Sequence, residues 1–118
     1  MTAIDEHVQP VGRLLGIDHV QLAMPEGGEG AARGFYGGPL GMVEVAKPAN
    51  LLARGGCWFE ASGIRLHLGS DRTFAPARKA HPAFLVDDLD RLILRLEESG
   101  VAIVHDEPLV GYATACFL

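Results

Sequence analysis

Residues 17–24 read IDHVQLAM, and residues 79–86 read KAHPAFLV. In the first stretch Val20, Leu22 and Met24 point one way while His19, Gln21 and Ala23 point the other. That is the period of two expected of a β-strand with one apolar face. The second is an apolar run that ends at Asp87 and also reads as a strand. His81 occupies in it the place that His19 holds in the first.

Between these strands the pattern gives a first unit. PEGGEG (25–30) is a loop, and AARGFYGG (31–38) predicts a short helix whose Ala31, Ala32, Phe35 and Tyr36 share a face, weakened by its glycines. MVEVA (42–46) predicts a strand and is followed by a loop at Pro48 and Asn50. GCWFEA (56–61) and IRLHLG (64–69) predict two strands joined by Ser62-Gly63, a two-residue link in which Gly supplies the positive φ of a primed turn. The order is β-α-β-β-β.

The second unit starts with the strand at 79–86. Asp87 is the expected N-cap of a helix over DLDRLILRLEES (88–99), where Leu89, Leu92, Ile93 and Leu96 make one stripe and Gly100 supplies the stop. VAIVHD (101–106) predicts a strand, Pro108 to Gly111 a loop, and YATACFL (112–118) another strand. The order is β-α-β-β, one strand fewer. Laid over each other, the units match His19 with His81, Gly41 with Gly100, Pro48 with Pro108 and Cys57 with Cys116. Their common order is the sign of a repeat. The domain reading is an N-terminal extension (1–15), module one (16–70), a linker (71–79) and an incomplete module two (80–118).

Composition sets limits on function. The 118 residues are 48% hydrophobic and 21% charged, ordinary for a globular protein. Net charge is −5, and the ten Lys and Arg form no cluster beyond Arg78 and Lys79, so nothing marks a nucleic-acid surface. No apolar run nears the ~18 residues of a spanning helix, and residues 1–16 lack a signal-peptide core, which makes the cytoplasm the expected location. Cys57 and Cys116 each sit in an apolar run and read as buried thiols rather than a disulfide or zinc pair.

The chemistry-bearing candidates are histidines. His19 and His81 hold equivalent first-strand positions, and His67 lies near the end of the fourth strand. Two half-sheets side by side would bring such positions together over one cavity, and neutral imidazoles suit a borderline divalent ion. Taken singly each histidine reads as structural; the shared register singles out His19 and His81. His7 and His105 read as solvated. Gln21, Trp58 and Arg65 are candidate substrate contacts, although an Arg65–Glu60 cross-strand ion pair is the plain alternative for that arginine. A dinucleotide loop starting at Gly28-Glu29-Gly30 fails because its third glycine position holds Arg33. No nucleophile elbow is present.

GIDHVQLAMP, AARGFYGGPLGM, IRLHLG and KAHPAFLVDDLDRLILRLEESGV, in this order and spacing, resemble the vicinal oxygen chelate superfamily of glyoxalase I, extradiol dioxygenases, and fosfomycin and bleomycin resistance proteins. The resemblance runs from Gly16 onward. It implies an α+β fold of paired βαβββ modules, here with the last strand of the second lacking, and commonly a homodimer. It further implies a divalent ion (Zn, Ni, Mn or Fe) on first- and fourth-strand ligands: His19, His81, and His67 where relatives carry a carboxylate. The family's final glutamate ligand projects to about position 126 on the repeat, about eight residues past Leu118. The implied function is a metal-dependent enzyme, a lyase or dioxygenase, that chelates vicinal oxygens of a small molecule. A metal-free binder of bleomycin-resistance type, or an inactive truncated member, are the other expectations.

Overall fold

The computed structural model describes residues 11–105 and the backbone of 116–117. Its elements are β1 (Val20–Pro25), α1 (Glu29–Tyr36), β2 (Val43–Val45), a 3-10 helix (Ala49–Arg54), β3 (Cys57–Ala61), β4 (Ile64–Asp71), α2 (Leu89–Glu98), β5 (Val104–His105) and β6 (Cys116–Phe117). The fold is α+β, with β1-α1-β2-β3-β4 forming one βαβββ module.

The β3–β4 hairpin turns at Ser62 and Gly63 with φ of 49° and 79°, the two positive values of a type I′ turn. Ser62 therefore shares the left-handed conformation expected of the glycine alone. From this hairpin the sheet grows in both directions, giving the order β1-β4-β3-β2. β2 runs antiparallel to β3, and β1 runs parallel to β4 with Gln21 opposite His67 and Leu22 opposite Leu68. A parallel pair needs a long crossover, and α1 lies within it.

Alternation then sorts the side chains. Met24, Cys57, Phe59, Leu66 and Leu68 are buried together with Ala32 of α1 and Met42, and Leu22, Tyr36 and Leu40 pack against them. The opposite face carries Gln21, Trp58, Glu60, Arg65 and His67. Helix α1 starts two residues before the expected Ala31. Glu29 in its first turn accepts the Gly56 amide at 3.0 Å, and Lys47 bonds to the Gly55 carbonyl, so the entry to β3 is pinned to the helix. Gly56 has φ of 81°, and a Cβ there would lie 2.0 Å from the Leu68 carbonyl oxygen; no other residue fits. The loop expected at Pro48 and Asn50 is instead the 3-10 helix.

Helix α2 forms with its stripe inward: Leu96 is buried, and Leu89, Leu92 and Ile93 are partly so. Its cap is Asp88 rather than Asp87. Asp88 has extended backbone and its carboxylate accepts the Arg91 amide at 3.1 Å. Arg95 Nε donates to the Pro39 carbonyl at 2.8 Å and so ties α2 to the segment after α1.

The strand expected at 79–86 does not form. Among the described residues no strand pairs with it by backbone hydrogen bonds, whereas β1 has β4. Without a ladder Leu85 stays 83% exposed. Of the strand expected at 101–106, Val104–His105 forms and pairs antiparallel with Cys116–Phe117, residues 101–103 do not join it, and residue 106 lies outside the described residues. The loop at 108–111, the start of the strand at 112–118, most of the N-terminal extension and His7 lie outside the described residues.

The alternation generates a stability contrast. Leu66, fully buried at the centre of the sheet, should lose about 2–5 kcal/mol as Leu66→Ala. Leu85→Ala, on the exposed segment, should shift the urea midpoint little. Equilibrium denaturation of both variants checks the difference.

Candidate functional site

The residues facing away from α1 come from three chain segments that the register brings side by side. Trp58 on β3 and Gln21 on β1 are both opposite His67 on β4. His19 precedes β1 and continues its alternation on the Gln21 side. The result is a stack of three rings: Trp58 and His67 lie 3.7 Å apart between centroids and 2° from parallel, and His67 and His19 4.3 Å apart and 19° from parallel. Gln21 leans away along the strands and lies over Gly69, where an added Cβ would approach its Nε2 to 3.0 Å. The bare glycine makes that space.

A line of charge borders the stack. Asp18 accepts from His19 Nδ1 at 2.9 Å and from the Arg65 guanidinium at 3.2 Å. The His19 hydrogen bond, with the Arg65 charge second, holds the Asp18 carboxyl below the usual carboxylate range. Glu60 is opposite Arg65 in the hairpin, yet Arg65 forms its ion pair with Asp18. Burial between its neighbours pushes the His67 imidazole below its ordinary value. The charge of His19 adds to the effect, and Asp18 opposes it. His67 is thereby favoured in the neutral, lone-pair form that a metal or a proton needs.

His81 stands elsewhere. It lines a cavity of about 470 Å³ between β1, through Val20, Gln21 and Leu22, and the segment of Ala77 and Ala80. Its Nδ1 lies 2.6 Å from the Lys79 carbonyl, and a carbonyl only accepts, so this nitrogen carries the proton. The structure thus brings together His19, His67, Trp58 and Arg65, and places His81 apart from them, in the lining of the cavity that Gln21 also borders. Among the described residues no three His, Cys, Asp or Glu side chains are gathered to hold an ion.

The donor chemistry nevertheless fits a borderline divalent ion, because two imidazoles are adjacent on an open face. Their orientation adds a condition. An imidazole lone pair lies in its ring plane, and two nearly parallel stacked planes do not meet at a common ion, so one ring must turn to complete a chelate. Asp18 was not singled out from the sequence. It lies in the lead-in to β1, outside any periodic pattern, and only its place beside His19 hinted at a role.

No protein-family model and no curated protein matches the chain. Among solved structures it is similar to a glyoxalase family protein from Bacillus anthracis, at 45% identity and a TM-score of 0.76, covering 80% of this chain and 77% of that one. It also shares its fold with the fosfomycin resistance protein FosX from Listeria monocytogenes, at 16% identity and a TM-score of 0.64, covering 82% and 75%. A mutant of that FosX has been solved complexed with Mn(II) and 1S,2S-dihydroxypropylphosphonic acid; it is 17% identical, with a TM-score of 0.61 and coverage of 84% and 80%.

The environment of His67 predicts its titration. NMR titration should place its pKa below the ordinary imidazole value, and Trp58→Ala, which uncovers the ring, should raise it. Because the unfolded chain takes the proton first, this group's contribution to stability falls as pH drops through the ordinary imidazole range and is fully lost below the folded value. A His67 pKa above ordinary would contradict the burial argument.

Proposed function

Because the chain belongs to the glyoxalase family, within the vicinal oxygen chelate superfamily, we propose that it is a metal-dependent enzyme that chelates vicinal oxygens of a small molecule. The observation that carries this reading is the meeting of His19 and His67 at 4.3 Å on the sheet face turned away from the core. These two would hold the ion, and His81 is the proposed third ligand from across the adjoining cavity. The ion supplies a Lewis acid that polarises the substrate oxygens. The Mn(II) complex of FosX, a protein of the same fold, supports a divalent ion.

The chain's own groups set the rest. Trp58 backs His67 and keeps water from one side of it. Gln21, which lies over Gly69 and borders the cavity that His81 also lines, would hydrogen-bond a polar substrate entering it. Arg65 offers positive charge at the rim, shared with Asp18. We propose a cytoplasmic location. Among the described residues no helix is long and apolar enough to cross a membrane.

A metal-free binder is the second reading, and the closed ring stack favours it. Parallel Trp58, His67 and His19 rings present an aromatic surface suited to a planar or apolar ligand. Metal content separates the two. Elemental analysis of the purified chain should find stoichiometric divalent metal that is lost in His19→Ala and His67→Ala and weakened in His81→Ala. A chain that takes up no metal at saturating concentration overturns the enzyme reading and leaves the binder.

We also propose a homodimer. Among the described residues β1 ends the sheet with one side unpaired, and Leu14, Leu15, Ile17 and Leu85 are each more than four-fifths exposed in the single chain. An open edge beside apolar side chains is a surface that association covers. Light scattering coupled to size exclusion should return twice the chain mass. A monodisperse monomer would contradict it.

A further inference from the structure

We infer that Asp18 is a positioning residue for His19, fixing which ring nitrogen carries the proton and therefore which one is offered to a ligand. The inference starts from valence. An ionised carboxylate has only acceptor sites, so the 2.9 Å contact between Asp18 Oδ2 and His19 Nδ1 requires the proton on Nδ1. In the neutral imidazole the lone pair is then on Nε2. Histidine without such a partner exchanges between two tautomers, and only one of them presents Nε2.

Asp18 is itself held. Its second oxygen, Oδ1, accepts from Arg65 at 3.2 Å, and Arg65 is anchored on β4 two residues before His67. The carboxylate therefore bridges the lead-in of β1 to the strand that carries the neighbouring imidazole. The other flank of His19 is the His67 ring, itself backed by Trp58. A hydrogen bond at Nδ1 and a stacked ring on one face together restrict the rotation of His19 and its tautomer. Asp18 and Arg65 side chains are 75% and 54% exposed, so this ion pair adds little to stability, and its geometry has a consequence for the imidazole that it does not have for the fold.

The positioning role stands on the tautomer alone; its use in holding an ion rests on the reading given under Proposed function. The test keeps the two apart. Long-range nitrogen–proton NMR of the metal-free protein at alkaline pH, where imidazole is neutral, reports the protonated nitrogen of His19 directly. The expected result is a single Nδ1–H form in the wild type, a mixture in Asp18→Ala, and recovery of the Nδ1–H form in Asp18→Asn, whose amide oxygen still accepts. Thermal unfolding should be nearly the same in all three. A His19 tautomer unchanged in Asp18→Ala overturns the inference, as does a wild type already in the Nε2–H form.

Titration with Co(II), followed by its visible absorption, is the second arm. Asp18→Ala should bind about ten- to a hundredfold more weakly than the wild type, with Asp18→Asn between them. Wild-type chain that shows the expected tautomer and binds no Co(II) overturns the metal reading and leaves the positioning role of Asp18 standing. Equal affinity in wild type and Asp18→Ala overturns the link between tautomer and ligand.

Discussion

Pairing of β1 with β4 in one register governs both faces of the sheet. With Leu22 opposite Leu68, the odd and even positions of the two strands are locked together. Leu66 and Leu68 then go to the α1 side with Phe59 from the neighbouring hairpin strand, and His67 goes to the other side with Gln21 and Trp58. A slip of one residue would exchange these sets and bury His67 in place of Leu66. The hydrophobic core therefore sets the geometry of the polar face without any polar interaction having to do so. Burying Phe59 and Leu66 is what places Trp58 and His67 in stacking contact.

Where a single segment contains its own signal, the sequence was sufficient. The Ser62-Gly63 turn lies between two alternating strands, and the helical stripe through Leu89, Leu92, Ile93 and Leu96 needs only its own period. Features settled by neighbours were less legible. Asp88 rather than Asp87 caps α2 because capping depends on backbone conformation, and both residues are chemically fit for the task. The 79–86 segment has the composition of a strand, but a strand exists through its partner's hydrogen bonds, and β1 has such a partner while this segment, among the described residues, does not. The same distinction separates Val104 and His105, which pair with Cys116 and Phe117, from the three residues before them.

The histidines show the limit in another form. Repeat symmetry links His19 to His81 because they hold equivalent positions along the chain. Contact links His19 to His67 because β1 and β4 are neighbours in the sheet. Internal similarity reports equivalence, and proximity comes from topology; the two coincide only where equivalent strands are adjacent. Alternation along the hairpin puts Trp58 and Arg65 on the same face as His67. Asp18 was not legible in this way, since its position in the lead-in to β1 belongs to no repeating pattern and its role depends on Arg65, 47 residues away in sequence.

The division of labour between the two faces also explains why these polar groups can be arranged for chemistry. On the core side a change of one methylene is felt by every neighbour. On the open side, Asp18, Arg65 and Glu60 remain in contact with solvent, where an ion pair contributes little to folding and can be remade at small cost. His67 stands between these regimes. Trp58 and His19 cover its faces enough to disfavour its charge, while its place on the open face of the sheet leaves its ring edge within reach of a ligand. The neutral imidazole that results is a product of packing, set by the flanking rings and tempered by the carboxylate of Asp18, and it needs no buried charge to maintain it.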